Sequence, residues 1–209
     1  MDELSIIASE GRRGHATVAN PRGNRVRALF QPLLVHQRIL RQIVEHRLGD
    51  WLGVALLDLR DPKAVRERAL ARHQRLPRRG ALHAWDDELC HALDGKADEK
   101  TLSILLAIML DGFPRGMTPN VNAYVAAALL VIGGRALSPE ILAAAIVRIW
   151  RKNKFPPAIS ELLDECEEAT QAATNARRVV TKMLALLDNA EDALIATGGF
   201  DEASASFQP

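Results

Sequence analysis

The chain has 209 residues, of which 48% are apolar, 25% charged and 4% aromatic, with a formal net charge of +1. That length suffices to bury a core as one domain with or without appendages, and an apolar set dominated by Ala and Leu favours closely packed helices over a β-sandwich. The longest apolar stretch, Ala123 to Ile132, is about half of the ~20 residues that span a bilayer, and two distant cysteines match no zinc or redox spacing.

The small net charge conceals an asymmetry. Met1 to Gly80 holds 16 basic and 8 acidic residues, whereas the remainder holds 11 basic and 18 acidic. A basic front suits an anionic partner such as nucleic acid. The N-terminus, MDELSIIASEGRR, is acidic and lacks an apolar run, so it does not read as a secretory signal, and the expected location is the cytoplasm.

Residues 1–28 read as a flexible basic arm. Arg12, Arg13, Arg22, Arg25 and Arg27 lie among glycines, Pro21 and two asparagines, a composition that builds no core but can hold a phosphate backbone. Residues 29–80 form a basic helical region. Apolar residues recur at helical spacing from Leu29 to Leu59, with Gly49 and Gly53 marking a kink or a second helix. Asp61-Pro62 supplies a cap and an N1 proline for a helix to Arg75, and Leu76 to Gly80 reads as a break. Arg72, Arg75, Arg78 and Arg79 belong to the densest positive cluster and are the candidate nucleic-acid contacts of this region.

A compact helical core is expected over residues 81–157. Ala81 to Leu93 reads as a short helix; its Asp87, Cys90 and His91 lack a second ligand pair, so neither a metal nor another cofactor is expected. Thr101 to Leu110 is apolar almost all round and predicts a buried helix. Thr118-Pro119 opens a helix with Val121, Tyr124, Val125, Ala128, Leu129 and Ile132 on one stripe. After Gly133-Gly134, Ser138-Pro139-Glu140 starts another, with a single apolar face at Ile141, Leu142, Ala145, Ile146, Ile149 and Trp150. The short glycine turn between them predicts an antiparallel hairpin.

That helix ends in Arg151-Lys152-Asn153-Lys154, followed by Phe155-Pro156-Pro157. Two prolines stiffen the corner. Lys152, Lys154, Phe155, Pro156 and Pro157 are therefore the candidate partner-binding residues; Trp150, in the apolar stripe, is expected to plug the core, and Phe155 is left open between a core plug and a surface anchor. Residues 158–197 then read as one long helix: Leu162, Cys166, Ala169, Ala173, Ala176, Val180, Met183, Leu187, Ala190 and Leu194 alternate in steps of four and three, a heptad seam. Its partner is either the same helix of a second chain, with Val180, Met183, Leu187 and Leu194 as oligomerisation residues, or the chain's own N-terminal helices. Residues 198–209 read as a disordered tail.

No Gly-rich phosphate loop, Gly-x-Ser-x-Gly elbow or activated cysteine is present, and an enzyme is not expected. The run from Asn122 to Ala169, with Phe155-Pro156-Pro157-Ala158-Ile159-Ser160-Glu161-Leu162 at its turn, resembles the layout of phage and prophage replication proteins, helicase loaders among them. There a helix ends in an (F/Y)-P-(T/S/P)-x-x-E-(L/I) turn before the next. The resemblance covers about a quarter of the chain. It implies a small helical adaptor that binds a replicative helicase, or the DNA near it. The alternatives are a coiled-coil oligomeric scaffold without a DNA role, and a helix-turn-helix regulator in the Thr118–Lys154 region. The last fits least, because the second helix is apolar where a recognition helix presents polar side chains to base edges.

Overall fold

The structure, a computed structural model, describes residues 34, 37–39, 41–42, 61–114 and 120–198. The arginines of the 1–28 arm, the predicted elements between 43 and 60, Thr118-Pro119 and residues 199–209 lie outside them. The fold is all-α: among the described residues every regular element is helical. In chain order these are α1 (Pro62–Arg75), α2 (Arg79–Asp94), α3 (Glu99–Asp111), α4 (Val121–Ile132), α5 (Pro139–Lys152) and α6 (Ile159–Ala196).

Local chemistry accounts for most boundaries. The Asp61 carboxylate accepts the Lys63 N–H at 3.0 Å ahead of the N1 proline, and Asp98 accepts from Thr101 at 2.6 Å. Ser138 caps α5 by accepting from Ile141, while its own hydroxyl donates to the Ala92 carbonyl at 2.5 Å. Ser138 is 1% exposed, so this pair of bonds also ties the end of α2 to the start of α5. Two starts differ from those expected. Helix α2 begins at Arg79 rather than Ala81, which confines the break to Leu76–Arg78, and α4 begins at Val121, where Asn120 accepts from Ala123.

The described residues fall into two compact units, and α2 and α6 each contribute to both. One unit contains α1, α2 up to Asp86 and α6 from Arg177; the other contains α2 from Asp87, then α3, α4, α5 and α6 up to Ala176. In the first, Ala69 of α1 and Leu194 of α6 are buried together, flanked by Leu70 and Ala193.

The second unit holds the larger core, built from Leu102, Leu106, Met109, Leu110, Leu142, Ile146 and Ile149 with Leu162, Cys166, Ala169 and Ala173 of α6. Helix α3 packs against both α4 and α5, an arrangement that the expected α4–α5 hairpin does not describe. Helix α5 is not one-faced. Residues 141–147 and 149 are all buried, because Ala143, Ala144 and Val147 turn the side expected to face solvent into a second packing surface. Helix α3, expected to be buried all round, exposes 49% of Ile104.

Along α6 the heptad reading translates directly into burial. All ten seam residues, from Leu162 to Leu194, are buried within the single chain. The pattern is period 3.5, and the surface that covers it belongs to the chain itself.

Candidate interaction site at the α5–α6 corner

The corner is assembled from restraints that each have a physical cause. Helix α5 ends where the Asn153 N–H donates to the Ile149 carbonyl at 2.8 Å, with Arg151 and Lys152 in its last turn, where positive charge complements the helix dipole. Trp150 closes the core: its indole Nε1–H donates to the Met109 carbonyl at 3.0 Å. The ring lies so close to Gly112 that a Cβ there would meet it at 2.5 Å.

Asn153 itself is extended, the chain bends at Lys154 and Phe155, and Pro157 is buried. The Tyr124 hydroxyl of α4 donates to the Pro157 carbonyl at 3.1 Å. Burial, and then the nearby Glu161 and Cys166, push the Tyr124 phenol up to about 12, so it remains a donor. Ala158 is the cap of α6, and the Glu161 carboxylate three residues on accepts its N–H at 2.9 Å. This is the return half of a capping box.

An ion-pair clamp ties the end of α5 to the first turns of α6. Glu165 accepts from Arg148 Nε at 2.8 Å and from Lys152 Nζ at 2.5 Å, and Arg148 also reaches Glu168 at 3.3 Å. Burial alone would raise the Glu165 carboxyl, but hydrogen bonds from Lys152 and Arg148, with their charges, outweigh it and hold it below the ordinary carboxylate range.

What this frame displays is Phe155, 57% exposed, with Lys154 exposed beside it. The five residues expected to meet a partner therefore separate. Phe155 and Lys154 face solvent and Pro156 is half-buried. Lys152 is committed to Glu165, and Pro157 is a buried acceptor for Tyr124, so the partner-facing role expected of Pro157 is corrected to a framework role.

The turn motif is legible in the same terms. Glu161 caps, Leu162 is 0% exposed, and the aromatic position is the large side chain left facing solvent. Sequence reasoning missed a second exposed apolar surface in this unit: Leu130 is 86% and Val131 43% exposed on α4. The signal was present, since the run from Ala123 to Ile132 carries apolar residues on the face opposite its core stripe as well.

In the other unit the basic candidates divide too. Arg75 and Arg78 are exposed. Arg79 donates to Asp188 at 2.6 Å and to Glu191 at 2.8 Å, and these bonds hold its guanidinium still more firmly protonated. Arg72 is 5% exposed: it lies one turn beyond Ala69 on the inner face of α1. Burial, and then the Arg68 charge, pull its pKa down, and it is withdrawn from the nucleic-acid-facing set. Lys63 and Arg68 of α1 are exposed in its place.

The proposed oligomerisation residues Val180, Met183, Leu187 and Leu194 are between 0% and 3% exposed in the single chain. Cys166 is buried and its thiol is pushed up to about 12, chiefly by burial, so it is no thiolate nucleophile at neutral pH. Among the described residues no group of three His, Cys, Asp or Glu side chains is placed to hold a metal ion, and no helix is long and apolar enough to cross a membrane. Comparison with protein-family models, with curated proteins and with solved structures finds no match for this chain.

Proposed function

We propose that this chain is a non-enzymatic helical adaptor that brings a protein partner to nucleic acid. The observation that carries the reading is Phe155: a large aromatic, 57% exposed, on a corner held by the Tyr124–Pro157 hydrogen bond, the Glu161 cap and the Glu165 clamp. An aromatic displayed on a rigid frame is what a binding hot spot needs, because little freedom is lost when a partner closes over it. The resemblance of the Phe155–Leu162 turn to helicase-loader-type replication proteins supports a replicative helicase as that partner.

Nucleic acid falls to the basic front: Lys63, Arg68, Arg75 and Arg78, with Arg12, Arg13, Arg22, Arg25 and Arg27 of the arm. Such contacts bind phosphate through counterion release and read no sequence. Two other readings receive less support. A scaffold joined through the α6 seam would have to uncover residues buried in the single chain. A recognition helix in α5 would have to expose residues 141–147, which are buried.

The test is affinity capture of the tagged protein from its host lysate with and without nuclease, read by mass spectrometry, beside the Phe155→Ser variant. The expected result is a replicative helicase retained by the parent protein after nuclease and lost from the variant. Recovery of nuclease-sensitive partners alone would remove the adaptor role and leave nucleic-acid binding. Recovery of nothing but the protein itself would favour the scaffold.

A further inference from the structure

Helix α4 carries no charged side chain in its sequence VNAYVAAALLVI, and none occurs from Gly116 to Gly134. One face of it meets the core: Ala128 and Ile132 are buried, and Tyr124, Val125 and Leu129 pack beside them. At 3.6 residues per turn, Ala123, Ala126 and Leu130 lie on the opposite side, and all three are exposed. Leu130 keeps 86% of its surface in solvent, and Val131 beside it keeps 43%. A helix that faces water normally sets charged residues on that side, and one that is apolar all round is normally covered.

Shape and charge together select the cover. The large side chain, Leu130, lies toward the C-terminal end of the face, and the small ones, Ala126 and Ala123, lie one and two turns before it. An antiparallel copy of the same helix, related by a two-fold axis between positions 126 and 127, seats each Leu130 on Ala123 of the other copy. Parallel pairing would set Leu130 against Leu130 and hold the alanines apart.

A two-fold contact brings every charge on a surface against its own kind, and this face has none to repel. The first charge beyond the helix, Arg135, is paired with Glu167 at 2.7 Å. In the antiparallel arrangement the two Arg135 residues stand roughly 25 Å apart, well past the ~8 Å over which charge is felt at physiological salt. An unrelated partner would find no charge here to set its orientation. The area sets the strength. A 12-residue helix offers a face of about 18 by 10 Å, far below the roughly 800 Å² per copy of a standard interface, so the pair is weak and reversible.

We propose that α4 is a self-association surface, pairing antiparallel with α4 of a second copy of this chain through Leu130, Ala126 and Ala123. The proposal uses neither Phe155 nor the α6 seam, and it stands or falls apart from the adaptor reading.

Sedimentation of the full chain from about 10 μM to 1 mM tests it. The parent should pass from monomer toward dimer as concentration rises. Leu130→Lys, a change at an exposed position, should weaken that association about tenfold or more with the circular dichroism and melting temperature unchanged. Phe155→Ser should associate as the parent does. Orientation is read by oxidative cross-linking, with the parent as the control for Cys90 and Cys166. Ala126→Cys, beside the axis, should link two copies. Ala123→Cys should not, because its copies lie about 10 Å apart along the helices, beyond the ~7 Å that a disulfide spans. A parent that stays monomeric throughout, or a Leu130→Lys variant that associates as well as the parent, would overturn the proposal. So would equal cross-linking at 123 and 126, which is the signature of a parallel pair.

Discussion

Trp150 and Gly112 show how far single residues here depend on their neighbours. Gly112 has φ −69°, an ordinary right-handed conformation, so its backbone does not demand glycine. Space does: a Cβ would lie 2.5 Å from the indole nitrogen and 2.7 Å from the adjoining ring carbon. Gly112→Ala must therefore move a half-buried ring that packs against the core and donates to Met109. Overpacking of that kind costs about 1–3 kcal/mol, and chemical denaturation should show a loss of that size. Phe155, two residues from Asn153, makes the opposite case. It is exposed, so the sequence alone left its role open between core and surface, and only its position beyond the buried Pro157 contact resolves it. Arg72 went the other way, because helical phase places it beside Ala69 and a run of arginines hides that phase.

Helix α6 was the most legible element. A strict heptad leaves one stripe to bury, and every residue of that stripe is buried. The sequence could not say what covers it, because a seam reads the same whether its partner is internal or a second chain. The single-chain burial makes a specific prediction: Val180→Asp places a carboxylate at a position 0% exposed and should cost about 3 kcal/mol or more. Thermal melts at several concentrations should show the same loss at each; a loss confined to dilute samples would instead signal dissociation of an oligomer. Helix α5 was the least legible. Its strongest apolar face was visible, but small residues on the reverse side (Ala143, Ala144) look neutral in a pattern and are buried because neighbours close on them.

The α5–α6 clamp belongs to the same scale. Arg148 and Glu165 keep only 15% and 14% of their side-chain surface exposed, and Glu165→Gln should cost about 1–3 kcal/mol by leaving Arg148 short of its counter-charge. The pH dependence follows in sign. The folded carboxyl titrates below its unfolded value of about 4.3, so its contribution is complete above that value and is lost as pH falls through the folded one. The stability gap between parent and Glu165→Gln should be constant near neutrality and close on acidification below about pH 4. A gap that persists unchanged there would remove the ionised clamp from the account.

For the molecule as a whole, the all-α class, most helix boundaries and the long final helix could be read from caps, prolines and periodicity. The two compact units could not. They cut through α2 and α6, and nothing in the local pattern of a continuous helix marks where its partners change. The candidate site was half legible for the same reason: the Phe155–Leu162 turn stands out in sequence, but capping by Glu161 and burial of Pro157 become visible only in three dimensions. What remains for a partner is an aromatic and a lysine on a fixed corner, and the adaptor reading rests there.

The direct measurement is the affinity of the purified replicative helicase for the parent protein and for Phe155→Ser at equal salt, with circular dichroism to establish equal folding. Loss of one hot-spot aromatic should weaken binding by at least about 2 kcal/mol, roughly thirtyfold, with the helical signal unchanged. Equal affinity in the two proteins would contradict a partner-binding corner.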